Sequence, residues 1–351
     1  MEKRKTSLTD EDDYPPLEQL RNGRILVTGG TGFVGTWLLD ALLQADSRMN
    51  LGMRLFTLTR DFERWQRIHP KITSNPAIRP LIGDIKNPAT WAANLPDELD
   101  LLIHAAHDSR LKPGTMTPLQ NLESLIDGTQ HVVSTAVRRR SRRVLFISSG
   151  AVYGRMPEGQ HAFREDFSGG LEWLSPGAAY AEGKRAAEAW ANAYCHENNS
   201  EFVTARLFAF GGPFLPLDQH FAFGNFIADA IAKRPIRVSG SGKSVRSWLA
   251  GSDLAHWLLT ILLNGRDGRA YNVGSDEACT ILELAHLVAD AAGRCGLVEL
   301  TGDDRNREQD SIYVPDISRA RDELGLQVRV PLRTLICETL KHYELMEKRS
   351  T

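Results

Sequence analysis

Tyr180-Ala-Glu-Gly-Lys184 sets a phenol and an ammonium four residues apart at the start of a helical run, Ala186 to Cys195. At that spacing the two side chains share one helix face. A neighbouring ammonium favours the phenolate, so the pair predicts a tyrosine of lowered pKa, able to act as acid or base near neutrality. Upstream, Ser148-Ser149-Gly150 closes an apolar run that begins at Arg143. A hydroxyl there can reach the carboxyl edge of a sheet, beside that tyrosine. A Tyr/Lys pair alone is common on helix surfaces. The ordered set of glycine turn, strand-terminal serine and Tyr/Lys pair is not.

The glycine turn is Thr28-Gly29-Gly30-Thr31-Gly32-Phe33-Val34-Gly35, which follows a short strand and opens a helix. With glycines at Gly29-x-x-Gly32-x-x-Gly35, one permits a tight turn, another admits a pyrophosphate against backbone, and the last lets helix and strand pack closely. Amides of the helix start and the helix dipole would hold the phosphates. Gly29, Thr31, Gly32, Phe33, Val34 and Gly35 are therefore the candidate cradle of a dinucleotide. The plain alternative is a glycine-rich loop without a ligand.

Thr59 and Arg60 end the second strand, followed by Asp61. An acid at this place bonds the adenosine ribose of NAD, whereas a hydroxyl beside a guanidinium suits the 2′-phosphate of NADP. The residues point to NADP(H). NAD stays open if Arg60 is a solvated loop residue and Asp61 takes the ribose. After the third strand, Gly83-Asp84-Ile85 is the candidate adenine contact, with Asp84 against the amino group. Ala105 and Ala106, after the fourth, offer the small side chains that a dinucleotide needs for close approach. His104 reads as packed or capping rather than catalytic.

Strands at Arg24–Thr28, Arg54–Thr59, Ile78–Ile82, Leu99–Ala105, Arg143–Ser148 and Phe202–Leu207 alternate with helical or turn-rich sequence. Such alternation implies right-handed crossovers and a parallel sheet covered on both faces. The expected fold class is α/β, a doubly wound Rossmann sheet with a smaller C-terminal substrate-binding lobe. The lobe is signalled by Gly211-Gly212-Pro213, Pro216 and Gly240-Ser-Gly242. The expected organisation is a polar arm over 1–23, a dinucleotide-binding domain over 24–207 with a return near 245–275, and a lobe from 208–244 and 276–345.

At about 150 residues per domain, the 351 residues suit this two-part reading. With 42 basic against 44 acidic side chains, binding to nucleic acid or anionic membrane through bulk charge is excluded. The arginines at 138–140 and 142–143 fall where a helix ends before a strand, and read as a solvated face favouring the helix dipole. The longest apolar run, around Leu254–Leu263, is short of the roughly 20 residues of a membrane span. Four scattered cysteines show no zinc spacing, so no metal is expected. The first residues lack the apolar core of a secretory signal, and a reducing cytoplasm is the simplest address.

The chain resembles the extended short-chain dehydrogenase/reductase family, specifically its nucleotide-sugar epimerase/dehydratase group. The resemblance runs from Arg24 to the C-terminus. It rests on Thr28–Gly35, Ser148–Gly154, Tyr180–Lys184, Gly240–Trp248 with Asp253-Leu-Ala, and Arg307–Asp310 before Asp316-Ile-Ser-Arg-Ala. It implies that Ser149 is the catalytic hydroxyl, that Tyr180 is the acid/base, and that Lys184 binds the nicotinamide ribose and tunes Tyr180. It implies that Arg246 and Arg307 grip a substrate diphosphate, for which guanidiniums are suited. It places Tyr153 near the sugar. Asn225 either contacts the nucleotide or diphosphate, or satisfies backbone at a helix start. The helices near Leu119–Val137 and Ala178–Tyr194 match those that pair in family homodimers, the alternative being burial within one copy.

Two departures narrow the chemistry. Family 4,6-dehydratases carry an Asp-Glu pair directly after the catalytic hydroxyl, and uronate decarboxylases carry an acid in the same segment. Here those positions are Gly150 and Ala151, which transfer no proton. Many epimerases also have an asparagine where this chain has Ala209. The leading expectation is NADPH-dependent reduction of a nucleotide-linked 4-keto sugar. The alternative is a 4-epimerase with tightly bound NAD, using the same residues out and back. A non-catalytic dinucleotide sensor would have no need of serine, tyrosine and lysine together.

Overall fold

The computed structural model describes residues 16–106, 116–170, 172, 174–217, 221–293, 296–301 and 310–350. The first half alternates as the sequence predicts: β1 (Arg24–Thr28), α1 (Phe33–Met49), β2 (Arg54–Thr59), α2 (Phe62–Ile68), α3 (Pro70–Thr73), β3 (Ile78–Ile82), β4 (Leu101–His104), α4 (Pro118–Arg138), β5 (Arg143–Ser149), α5 (Ala179–Glu197) and β6 (Glu201–Leu207). Local chemistry sets several boundaries. Asn50 ends α1 in the left-handed conformation, which asparagine tolerates. Thr117 and Gln120 form a capping box at the start of α4, with Pro118 in its first turn.

The second half is shorter-stepped: β7 (Phe210–Gly211), α6 (Ala222–Ile231), β8 (Ile236–Val238), β9 (Val245–Ser247), β10 (Leu249–Ala250), α7 (Gly251–Asn264) and β11 (Arg269–Val273). It continues with β12 (Ala278–Thr280), α8 (Ile281–Ala291), β13 (Val298–Leu300), β14 (Ile312–Tyr313), α9 (Ser318–Leu324) and α10 (Leu332–Ser350).

Seven strands form one sheet in the order β11-β6-β5-β4-β1-β2-β3, with every neighbouring pair parallel. This is the doubly wound α/β fold expected from the sequence. The order reverses between β1 and β4, which opens a crevice at the carboxyl ends of those strands. One face is buried under α1 and α7 through Leu38, Leu42, Trp257 and Leu258. The other is covered by α4 and α5 through Val132, Val133, Ala187 and Ala191. The strands are apolar on both faces because both are covered.

The lobe holds a sheet ordered β12-β9-β14 and a β13-β8 pair, packed with α6, α8 and α10 around Phe223, Phe226, Leu284 and Ile336. Within 245–275, α7 and β11 lie on the large sheet, while Val245–Ser247 belongs to the small one. Ala320 of α9 returns to the core of the large domain. Two contacts join the parts near the glycine turn: Phe33 stacks on Phe210 at 4.9 Å between centroids, and Trp37 Nε1 donates to Pro213 O at 3.1 Å. A third junction is Asn272, whose Nδ2 donates to Phe163 O at 2.7 Å and Asp316 O at 3.1 Å.

Candidate active site

The glycine turn lies in the crevice between β1 and β4. Gly29 has φ +72°, and a Cβ there would lie 2.5 Å from the Ala105 carbonyl. A Cβ on Gly35 would collide with the Gly29 carbonyl oxygen. Gly32 is different: its Cβ would meet nothing nearer than Gly29 O at 3.4 Å, so it faces open space. No side chain caps α1. The amides of Phe33, Val34 and Gly35 in its first turn have no acceptor within the helix. Orphan donors around a hollow that a methyl would fill suit a diphosphate, and the turn fits a dinucleotide. Thr31, Phe33 and Val34 are half-buried at its mouth.

Thr59 is buried at the end of β2, and its Oγ1 accepts from Asp61 N at 3.2 Å. The Asp61 carboxylate accepts from Arg64 N at 2.9 Å and caps α2. The acid is thus engaged by its own helix, while Arg60 is exposed beside it. Asp84 Oδ1 accepts from Lys86 N at 2.9 Å. Ile85 packs against α4, where a Cβ on Gly128 would lie 2.6 Å from its Cδ1. Ala105 and Ala106 are half-buried opposite Gly29. His104 is a packed strut, as its position suggested. Thr28 Oγ1 accepts from Ala106 N at 3.3 Å and is hydrogen-bonded to His104 Nδ1 at 2.7 Å. The opposite ring nitrogen lies 3.1 Å from Thr129 Oγ1. Burial and the nearby Lys184 hold this imidazole neutral, with a pKa of about 3.

Ser149 ends β5 and Tyr180 begins α5, and the fold brings their hydroxyls within hydrogen-bonding reach. Ser149 Oγ accepts from Ala151 N at 3.2 Å. Lys184 is buried one turn along, its Nζ donating to Ile147 O at 2.8 Å and lying 5.0 Å from the Phe146 ring centroid. Burial lowers its pKa to about 8, against an opposing pull from Glu188. The expected lowering of the Tyr180 pKa is corrected here. Burial pushes that phenol up, and the serine hydroxyl only partly offsets it. The cause is burial of the phenol; the Lys184 ammonium, one of whose hydrogens goes to Ile147 O, does not offset it.

Tyr313 was missing from the sequence-derived site. Its hydroxyl is also within reach of Ser149. A Cβ on Gly150 would lie 2.8 Å from Tyr313 Oη and 2.7 Å from the Phe208 ring. An acid at Gly150 is therefore not merely missing; its space is filled. The available signal was an aromatic with a polar tip three residues before Asp316.

On the substrate side, Tyr313 pairs in register with Arg246. The Arg246 guanidinium lies 5.8 Å from the Tyr313 ring centroid and donates to Ser311 O at 2.7 Å and Ser311 Oγ at 2.8 Å. Arg307 lies outside the described residues. Tyr153, expected near the sugar, has its hydroxyl engaged within the protein. It is 1% exposed, with its hydroxyl donating to Asn272 Oδ1 at 2.7 Å and accepting from Arg206 at 3.0 Å. Asn225 is exposed in the first turn of α6 and is not its cap, which is Phe221. Among the described residues, no three His, Cys, Asp or Glu side chains converge as metal ligands, and no helix is long and apolar enough to cross a membrane.

Comparison with known proteins places this geometry. Residues 25–274 match the model of the "NAD dependent epimerase/dehydratase family". UDP-glucuronic acid decarboxylase 1 of Arabidopsis thaliana is 30% identical over 313 residues, covering 88% of this chain and 67% of the relative. The structure of dTDP-glucose 4,6-dehydratase from Bacillus anthracis in complex with NAD has a TM-score of 0.79 at 20% identity, covering 93% of this chain and 98% of that one. UDP-glucose 4-epimerase of Thermotoga maritima, solved with UDP-glucose, has a TM-score of 0.77 at 17% identity, covering 92% and 99%.

Proposed function

The chain belongs to the NAD dependent epimerase/dehydratase family, and on that premise we propose that it moves a hydride reversibly at carbon 4 of a nucleotide-diphosphate sugar. Of the two readings from the sequence, the relatives support the 4-epimerase better, since they are named as epimerases, dehydratases and decarboxylases. The observation that carries it is the crowding at Gly150: hydroxyls and an amine are present, and a side chain at that position would have to displace the Phe208 ring and the Tyr313 hydroxyl. This favours chemistry without a carboxylate at Gly150 over routes that use one there.

Gly29–Gly35 and Lys184 would hold the dinucleotide, which when bound would supply the acceptor and then the donor of hydride. Tyr180 takes the proton of the sugar hydroxyl as the carbonyl forms, and returns it when the ketone is reduced. Ser149 donates a hydrogen bond to the same oxygen, where fixed donors stabilise developing charge. Arg246 is placed to take the diphosphate.

Burial raises the Tyr180 pKa, so little phenolate is present near neutrality. Turnover is expected to climb with pH until the phenol titrates, and a flat kcat profile from neutral to alkaline pH counts against Tyr180 as base. Tyr180→Phe should cost about 10²–10⁴-fold in kcat while dinucleotide binding survives.

A second reading, reduction of a 4-keto sugar at the expense of NADPH, is favoured by Arg60 beside a capped Asp61. One experiment separates the two. The purified protein is assayed by NMR against UDP-, dTDP-, CDP- and GDP-sugars and their 4-keto forms, with no cofactor, NADH or NADPH added. Epimer formation without added cofactor supports the first reading, and stoichiometric NADPH consumption supports the second. A homodimer through α4 and α5 belongs to the same proposal, and light scattering at the mass of one chain would remove it.

A further inference from the structure

Tyr313 sits in a two-residue strand of the lobe, and the chemistry above gives it no task. Its hydroxyl donates to Leu207 O at 3.4 Å, and Leu207 is the register partner of Ser149 in the neighbouring strand. Its ring lies 4.6 Å from that of Phe208, and its oxygen lies 2.8 Å from where a Gly150 Cβ would stand. These three contacts fix the phenol beside the Ser149–Gly150 backbone. A bond of 3.4 Å to a carbonyl is long, and a hydroxyl hydrogen rotates to a better acceptor when one is offered.

Ser149 Oγ is such an acceptor. A serine oxygen has two lone pairs and one hydrogen. One lone pair takes the Ala151 amide. We propose that Tyr313 is a positioning residue, whose O–H fills the second lone pair of Ser149 Oγ and so aims the single serine hydrogen into the site, at Tyr180 before substrate enters and at the reacting sugar oxygen once it has. The inference rests on the redox reading given above and assigns that site an ordered line of hydroxyls, Tyr313 to Ser149 to Tyr180. The titratable and charged groups around Tyr313 are Arg246 on β9, Tyr180 on α5 and Tyr153 before it. Burial outweighs them and keeps the phenol protonated, so it stays a donor wherever the enzyme works. The Arg246 guanidinium beside its ring links the proposed diphosphate grip to the serine.

The test uses Tyr313→Phe, which keeps the ring against Phe208. With the nucleotide sugar found to turn over, kcat should fall about tenfold with KM within about twofold, the loss of one hydrogen bond in the transition state. In the Ser149→Ala background the same change should cost nothing more. An equal loss in both backgrounds, or no loss in the first, overturns the proposal. A second measurement needs no substrate. In the dinucleotide-loaded protein, Tyr180 is titrated by phenolate absorbance, taken as the difference between each protein and its Tyr180→Phe counterpart. Tyr313→Phe should raise the midpoint by about half a pH unit, because the donor to the phenolate is no longer held. An unchanged midpoint refutes the arrangement. If the native protein turns over no nucleotide sugar, the proposed function fails, while the titration still decides the role of Tyr313.

Discussion

Lys184 occupies a place that costs the folded protein stability. Its amine is buried against Phe146 and Ile147, and its pKa falls from 10.5 to about 8. The unfolded chain therefore binds a proton that the folded chain holds more weakly. The penalty is full below about pH 8 and fades as pH rises towards 10.5. Lys184→Met should raise stability at pH 7 by roughly 1–3 kcal/mol after loss of the Ile147 hydrogen bond, and abolish turnover. Thermal melts at pH 7 and pH 10 check this, and the gain must shrink at the higher pH. At Arg60 the expectation concerns affinity alone. Arg60→Ala should weaken NADP(H) binding by about tenfold and leave NAD nearly unchanged, as titration calorimetry can show. Equal losses for both would assign the guanidinium to packing.

Among the elements, the turn into α1 separates fold from function within three residues. Gly32→Ala places a methyl in the proposed phosphate hollow, with Gly29 O at 3.4 Å its nearest neighbour. Its melting temperature without ligand should stay within about 1 °C of the native value, while dinucleotide affinity falls tenfold or more. Gly35→Ala drives a methyl into the Gly29 backbone and should destabilise by roughly 1–3 kcal/mol before any ligand is added. This turn, the strands and the Tyr180–Lys184 helix were all legible in the sequence, because periodicity and spacing are local. Tyr313 was not legible, since a two-residue strand of the lobe brings it to Ser149 from far along the chain. Nor was the sign of the Tyr180 shift. Spacing predicts that Lys184 is near, but only the packed structure shows its ammonium turned to Ile147. At Tyr153 the motif names the residue without telling that Asn272 and Arg206 have already claimed its hydroxyl.

Across the whole molecule, Asn272 ties three stretches of chain together. Fully buried, it accepts from Tyr153, donates to Phe163 O and Asp316 O, and its amide donates to the Glu165 carboxylate. Asn272→Ala takes the acceptor from the Tyr153 hydroxyl and the side-chain donor from Phe163 O and Asp316 O, keeps the backbone bond to Glu165, and should cost about 3 kcal/mol, measurable by urea unfolding with the wild-type slope retained. The packing at Gly150 has a longer reach. An aspartate there would press into both Phe208 and Tyr313, and trimming Tyr313 first would leave a hole over the serine. A carboxylate at Gly150 therefore calls for changes in segments far apart in the chain, Phe208 as well as Tyr313, and each change made alone is opposed by the packing that the others keep.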